Sequence, residues 1–318
     1  MNQAFILGAG LGKRLRPLTG FLPKPLVPLF HRPLAEWAME ACFKAGIQKF
    51  AINTHHLPEA WDGWGEESEC SISPVCGANG ESVAFRKWEG MDVSMFHEPI
   101  LLETGGGLKN IAGWIGDEPL LIHNGDIFST LPLEKLIAAH EASGLPVTLA
   151  LRTEGDAKHI ALDAEMKRVT DIRRGLHRAN GTHVFSGIYC ISPEFLEMIP
   201  AGEKVSVIPY FLELARAGKL GAIVLDDGAW LDLGDRASYL KAHRELALAP
   251  AIHPLAVIGN HATVENSIIG PGAVIRSGAV VRNSVVWAGR RVEGDADLDG
   301  CIVCSDQPVS GLHRDADL

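Results

Sequence analysis

No apolar run in the 318-residue chain approaches the ~18 consecutive residues that a membrane-crossing helix needs, so no membrane partner is expected. Met1 leads straight into the first apolar segment, and the expected compartment is the cytoplasm. Positive charge is scarce: 29 Lys and Arg face 39 Asp and Glu, a formal net charge of −10. That balance argues against a nucleic-acid partner, which needs a positive field. Anionic ligands must then be held by a few local cations. Cysteine is sparse as well, six residues without the spacing of a small secreted domain, which suits reduced thiols better than a disulfide framework. Apolar residues are not scarce. They make up 47% of the chain, enough for a sizeable core, and the length predicts two domains.

The densest chemistry lies near the start, where Phe5-Ile6-Leu7 runs into Gly8-Ala9-Gly10-Leu11-Gly12-Lys13-Arg14-Leu15. A short apolar run ending in glycines predicts a buried strand entering a tight loop over residues 8–25. Glycines let backbone approach a ligand, and free N–H groups in such a turn suit phosphate oxygens. Arg14 offers a planar fork for phosphate and Lys24 a point charge, the latter between Pro23 and Pro25, which stiffen its approach. Two familiar phosphate loops are missing. There is no G-K-[ST] P-loop, and Leu15 stands where a dinucleotide fingerprint would carry its third glycine.

The spacing Gly10-x-Gly12-x-Arg14-Leu15-x-Pro17-Leu18-Thr19, followed by Pro23-Lys24-Pro25, resembles the signature of the sugar-1-phosphate nucleotidyltransferases, the nucleotide-sugar pyrophosphorylases. Lys13 occupies the usual Thr/Ser position. The resemblance extends over roughly the first 245 residues. It implies a doubly wound, Rossmann-like α/β domain that uses an NTP, a sugar 1-phosphate and Mg²⁺. Leu7, Gly8, Ala9, Gly10 and Gly12 would hold the nucleotide, and Arg14 and Lys24 would be catalytic. Leu102-Glu103-Thr104-Gly105-Gly106-Gly107 resembles the base and sugar segment of guanylyl- and muramyl-uridylyl-transferring subgroups. Three glycines ahead of a helix would there let a flat base lie on backbone at Thr104, Gly105 and Gly106, with Glu103 toward the sugar.

Asn124-Gly125-Asp126 closes an apolar strand, where open α/β sheets bind ligands. It resembles the family's first metal aspartate, with Asn124 on the nucleotide. Trp230-Leu231-Asp232-Leu233-Gly234 resembles W-x-D-[IV]-G, making Asp232 the second metal carboxylate; Asp235 stands where Thr is common. Magnesium takes hard oxygen ligands, typically one or two carboxylates with substrate phosphates. Phe185-Ser186-Gly187-Ile188 resembles the strand whose glycine makes room for the sugar. The family's E-K-P lysine is absent, leaving Arg173 or Arg174, in a hairpin predicted over 159–174, and Lys204 as candidates for the sugar phosphate. Adjacent His55 and His56 diverge as i, i+1 neighbours and lack a third ligand at metal-site spacing.

Beyond Ala249–Pro254 the composition shifts to a 17-residue repeat: Ile258, Ile275 and Val292 align, as do Val264, Val281 and Leu298, and Ile269, Val286 and Val303. Steps of six and five residues with Gly, Asn and Ser between them predict a short left-handed β-helix. The expected division is a catalytic domain over 1–248 and three coils over 255–310. Because every candidate catalytic residue precedes 235, the tail is expected to serve homo-oligomer assembly or to brace its own domain. Cys301-x-x-Cys304 falls on repeat positions and lacks a second pair. Two other classes compete, a non-catalytic nucleotide-sugar sensor and a hexapeptide acyltransferase resting on His261. Arg14, Lys24, Asp126 and Asp232 together favour the enzyme.

Overall fold

The computed structural model describes residues 1–67, 83–155 and 157–318. Cys70, Cys76 and most of the polar 66–90 segment therefore lie outside the described residues. Contacts divide the chain into two compact units that interleave in sequence: Met1–Gly10 with Trp37–Trp230, and Leu11–Glu36 with Leu231–Leu318.

The first unit carries a nine-stranded sheet. Its strands are β1 (Gln3–Leu7), β2 (Lys49–Thr54), β3 (Glu66–Glu67), β4 (Val83–Trp88), β5 (Met91–His97), β6 (Leu120–Asn124), β7 (Val147–Arg152), β8 (Val184–Ile191) and β9 (Leu220–Val224), in the order β9-β7-β8-β6-β1-β2-β5-β4-β3. The central strands β6, β1, β2 and β5 run parallel. Their sequences are near-continuous apolar runs because helices cover both faces of such sheets. Phe5, Ile6, Phe50, Ile52, Leu121 and Ile122 are all fully buried. Strand β8 runs antiparallel to both β6 and β7, so the sheet is mixed. Helices α2 (Glu103–Asn110), α3 (Ala112–Ile115), α4 (Leu133–Ser143) and α5 (Ile208–Arg216) belong to this unit, and α1 (Leu34–Lys44) links the two. The expected hairpin is present as Ile160–Leu162 against Val169–Ile172.

The second unit begins with the loop after Gly10. It is a series of single 3₁₀ turns, Lys13–Leu15, Leu18–Gly20 and Lys24–Leu26, followed by a two-residue hairpin, Pro28–Leu29 against Arg32–Pro33. Helix α6 (Arg236–Glu245) opens the rest. Its N-cap is Asp235, whose carboxylate accepts the Ser238 N–H at 2.9 Å while the Ser238 hydroxyl reaches back, a capping box. Asp235 therefore has a structural duty.

Three parallel sheets then stack as the sequence repeat predicts, with Ile258 on Ile275, Val264 on Val281 on Leu298, and Ile269 on Val286 on Val303. Ladder partners extend past the three expected coils. Ile252 pairs Ile269 before them, and His313 and Asp317 pair Leu298 and Ile302 after them. The interior is a narrow prism of Ile269, Ile275, Val281, Val286, Val292 and Leu298, and Cys301 and Cys304 are buried, free thiols.

Candidate active site

Within the first unit, the carboxyl ends of β1 and β6 lie side by side, with Leu7 in register with Asn124. Gly125 donates its N–H to the Leu7 carbonyl at 3.0 Å, and a β-carbon at Gly125 would stand 2.9 Å from that oxygen. Only glycine permits this approach, which seats Asp126 in the turn beyond. The Gly8 N–H donates to Asn53 Oδ1 (2.7 Å), Asn53 Nδ2 donates to Glu98 Oε1 (2.7 Å), and Glu98 Oε2 accepts the Leu102 N–H (2.9 Å). This relay ties the start of the glycine loop to the entry of α2. Asn53 and the fully buried Glu98 were missed by motif reasoning. The available signal was a polar residue at or just beyond the end of each of two apolar strands, close to the signal that marks Asn124.

Helix α2 begins at Glu103, so the three glycines lie inside it and not ahead of it. Each has protein where a side chain would go. A β-carbon at Gly105 would stand 2.9 Å from the Val205 carbonyl oxygen, and one at Gly106 would run into the Glu203 carbonyl oxygen; one at Gly107 would meet the Asn53 amide and Glu98 carboxylate at 2.9 Å. The Gly105 and Gly106 N–H groups both donate to Val205 O, and Thr104 Oγ1 accepts the Val207 N–H at 3.0 Å. The glycines thus admit the 203–207 strap, whose exposed Lys204 lies 3.8 Å from Glu103. Both partners are about half exposed, so the pair contributes little to stability.

Gly187 (φ +77°) sits where β8 bulges against β7, and its missing β-carbon leaves room for the Asn124 amide, which would be 2.7 Å away. Arg173 and Arg174 are exposed and left-handed (φ +52° and +58°). The loop that carries them is pinned by buried Asp171, whose carboxylate accepts the Leu176 and Arg178 N–H groups. Burial raises this carboxyl, but the surrounding backbone N–H groups outweigh it and hold it below its ordinary range. His123, fully buried beside Asn124, is held neutral by desolvation, its pKa down to about 4. The His55 ring donates to the Glu98 carbonyl (2.7 Å), which occupies one nitrogen of the His-His pair.

Within the second unit the loop closes on Gly12 (φ +58°). A β-carbon there would stand 2.6 Å from the Thr19 methyl and 3.2 Å from Lys24 Cβ, and Thr19 Oγ1 donates to the Gly12 carbonyl. Lys24 is 6% exposed. Arg14 projects outward, 69% exposed, with its guanidinium 3.9 Å from the Asp232 carboxylate. Gly234 provides the floor: a β-carbon there would lie 2.5 Å from Arg14 Nη2 and 2.9 Å from Asp232 Oδ1. Asp235 is held below its ordinary range by the Ser238 N–H, with Arg14 adding to the effect. Among the described residues no group of three or more His, Cys, Asp or Glu side chains is arranged to hold a metal ion by itself. Asp126 in the first unit and Asp232 in the second each carry a carboxylate, the hard oxygen ligand that magnesium prefers.

The nucleotidyl transferase family model matches residues 3–248. The chain belongs to the nucleotidyl transferase family. Among its relatives, this nucleotidyl transferase is 29% identical over 236 residues to an N-acetylmuramate α-1-phosphate uridylyltransferase of Neisseria meningitidis, covering 73% of this chain and 93% of that one. It is 26% identical over 278 residues to a mannose-1-phosphate guanylyltransferase of Mycobacterium tuberculosis (85% and 72% covered). A UTP–glucose-1-phosphate uridylyltransferase of Synechocystis is 26% identical over 251 residues, 76% of this chain but 62% of that relative's length. The fold is shared with HddC of Yersinia pseudotuberculosis, solved in complex with GMP-PN (TM-score 0.57, 23% identity, 76% of this chain and 98% of that one). Among the described residues no helix is long and apolar enough to cross a membrane.

Proposed function

We propose that this nucleotidyl transferase joins an NTP to a sugar 1-phosphate, releasing pyrophosphate, with guanylyl transfer to mannose 1-phosphate as the preferred pair. The observation that carries the reading is the loop from Gly12 to Lys24, closed on itself and holding Arg14 beside Asp232 over Gly234. A loop with exposed cations at Lys13, Arg14 and Arg16 and a buried one at Lys24, with Arg14 next to a carboxylate, suits a polyphosphate better than a neutral ligand. In the reaction a sugar-phosphate oxygen attacks the α-phosphorus, the bond from α-phosphorus to the bridging oxygen breaks, and pyrophosphate leaves with that oxygen. The nucleophile is already an anion, so the chain need supply no general base, and rate comes from positioning and charge neutralisation. Arg14 receives the departing pyrophosphate and Lys24 the α- and sugar phosphates.

Leu7 to Gly10, Gly12 and Asn124 take the nucleotide, with Thr104, Gly105 and Gly106 supporting the base through the strap they carry. Glu103, Gly187, Lys204 and Arg173 face the sugar phosphate. Asp126 and Asp232 would hold Mg²⁺, which would supply electrostatic neutralisation of the phosphate oxygens. The division into catalytic residues 1–248 and coils 255–310 belongs to this reading, as does a cytoplasmic home. Homo-oligomer assembly through the first coil is supported by exposed Leu255 and Val257, 69% and 56% accessible; light scattering tests it. Uridylyl transfer to N-acetylmuramate 1-phosphate or another hexose 1-phosphate is the second reading, favoured by the 29% identity to the Neisseria protein.

A panel of four NTPs against several sugar 1-phosphates, read by pyrophosphate release, tests the proposal. GTP with mannose 1-phosphate should give the highest kcat/KM. Preference for UTP with the muramyl substrate would favour the second reading, and binding without pyrophosphate from any pair would leave a sensor.

A further inference from the structure

The tail and the phosphate loop belong to one compact unit, although more than two hundred residues separate them in sequence. The hairpin that directly follows Lys24-Pro25-Leu26 is clasped at three points by the segment 239–250. Tyr239 donates its hydroxyl proton to the Pro28 carbonyl at 2.6 Å. The Phe30 N–H donates to His243 Nε2 at 3.0 Å, and the two rings stack at 5.4 Å. The His31 ring donates from Nε2 to the Pro250 carbonyl at 2.7 Å. Phe30 adopts φ +57°, a left-handed conformation costly for an aromatic residue, so the clasp fixes an otherwise disfavoured turn.

Behind the clasp stands the β-helix. Trp287, at the corner after the Val285–Val286 strand, is 3% exposed and donates its indole N–H to the Tyr239 hydroxyl oxygen at 3.1 Å. Tyr239 is fully buried, and both functions of its hydroxyl are used. A phenol can rotate its O–H, and a donor arriving at the oxygen selects the orientation that reaches Pro28. The hairpin in turn anchors the loop end: the Val27 N–H donates to Lys24 O (3.1 Å) and the Leu34 N–H to Val27 O (3.2 Å). Hydrogen bonds joined by the Val27–Pro28 peptide therefore connect coil, helix, hairpin and the turn that carries Lys24.

We infer that Trp287 and Tyr239 are positioning residues for the transferase reaction, and that the β-helix sets the phosphate loop through them. Neither residue touches substrate; each acts by holding Pro28 and, through it, the turn at Lys24. The inference deepens the proposed function and rests on it for its kinetic readout. It goes against the expectation that the tail stands apart from catalysis.

The test uses the full chain with Trp287→Phe, Tyr239→Phe and Val281→Ala, the last hollowing the coil interior away from the clasp. Rates are taken well below each melting temperature, and amide exchange at Leu26, Val27 and Phe30 is followed in parallel. Tyr239→Phe should lower kcat at least ~10-fold, since displacement of about 1 Å in positioning elements can cost ~100-fold. Trp287→Phe should lower it less, and both should speed exchange at those three amides. Val281→Ala should lower the melting temperature while leaving kcat and the three amides unchanged. Unchanged kcat and exchange in both clasp variants would overturn the inference, as would an equal kcat loss in Val281→Ala. If Tyr239→Phe fails to fold, Trp287→Phe decides alone. If the parent has no transferase activity the proposed function fails, while the exchange result still judges the clasp.

Discussion

Replacing Gly234 by alanine perturbs the seat that Arg14 shares with Asp232. The added β-carbon would start 2.5 Å from Arg14 Nη2 and 2.9 Å from Cζ, about 0.9 Å inside the 3.4 Å at which ordinary contact begins. Gly234 is not among the positive-φ residues, so alanine carries no backbone strain here. The atoms it meets are the far ends of two side chains, Arg14 at 69% and Asp232 at 45% exposure, which can move away at little cost in stability. What is lost is the position of the guanidinium over the carboxylate of Asp232. A misplacement near 1 Å costs on the order of 100-fold in rate, about 2.7 kcal/mol of barrier. Steady-state kinetics with pyrophosphate readout should therefore show kcat/KM down ~100-fold. Denaturant unfolding should move by less than ~1 kcal/mol. Activity within about threefold of the parent would refute the assignment of Arg14 to the departing pyrophosphate.

Asp126→Asn or Asp232→Asn should each lower turnover by orders of magnitude at saturating Mg²⁺ with the fold intact by circular dichroism; near-parental kcat in either removes that residue from the metal site. Lys24→Ala should cut kcat at least ~100-fold, about 2.7 kcal/mol, because its charge counts most in the transition state; a change confined to KM would limit Lys24 to ground-state binding. His123 and His243 are both buried neutral with pKa values near 4 against 6.5 unfolded. The unfolded chain thus binds more protons, and stability should fall as pH drops from 6.5 toward 4, by up to roughly 3 kcal/mol for each histidine. Denaturant melts at pH 7 and 5 check the sign, and His243→Gln should flatten the slope.

Much of this molecule is readable in its sequence because glycine and apolar periodicity report backbone demands directly. Phe5-Ile6-Leu7-Gly8 announces a buried parallel strand, and the structure pairs it on both sides. The 17-residue repeat is likewise local, each residue meeting its copy one coil away. What the sequence hides is tertiary. The Gly105–Gly107 run reads as a bed for a ligand, but the protein's own 203–207 strap lies against Gly105 and Gly106, and Asn53 and Glu98 lie against Gly107. Asn53, Glu98, Tyr239 and Trp287 carry no motif, because their roles depend on which distant backbone atoms they meet. Asp235 shows the reverse case: a residue that departs from the family pattern proves to be a helix cap, an effect of its immediate neighbours.

The central claim is tested most directly by ³¹P spectroscopy of the protein with GTP, mannose 1-phosphate and Mg²⁺. The account predicts that GTP and sugar-phosphate resonances decline together while a sugar nucleoside diphosphate and pyrophosphate grow in equal amounts. GTP loss that yields orthophosphate, with the sugar phosphate untouched, would contradict it.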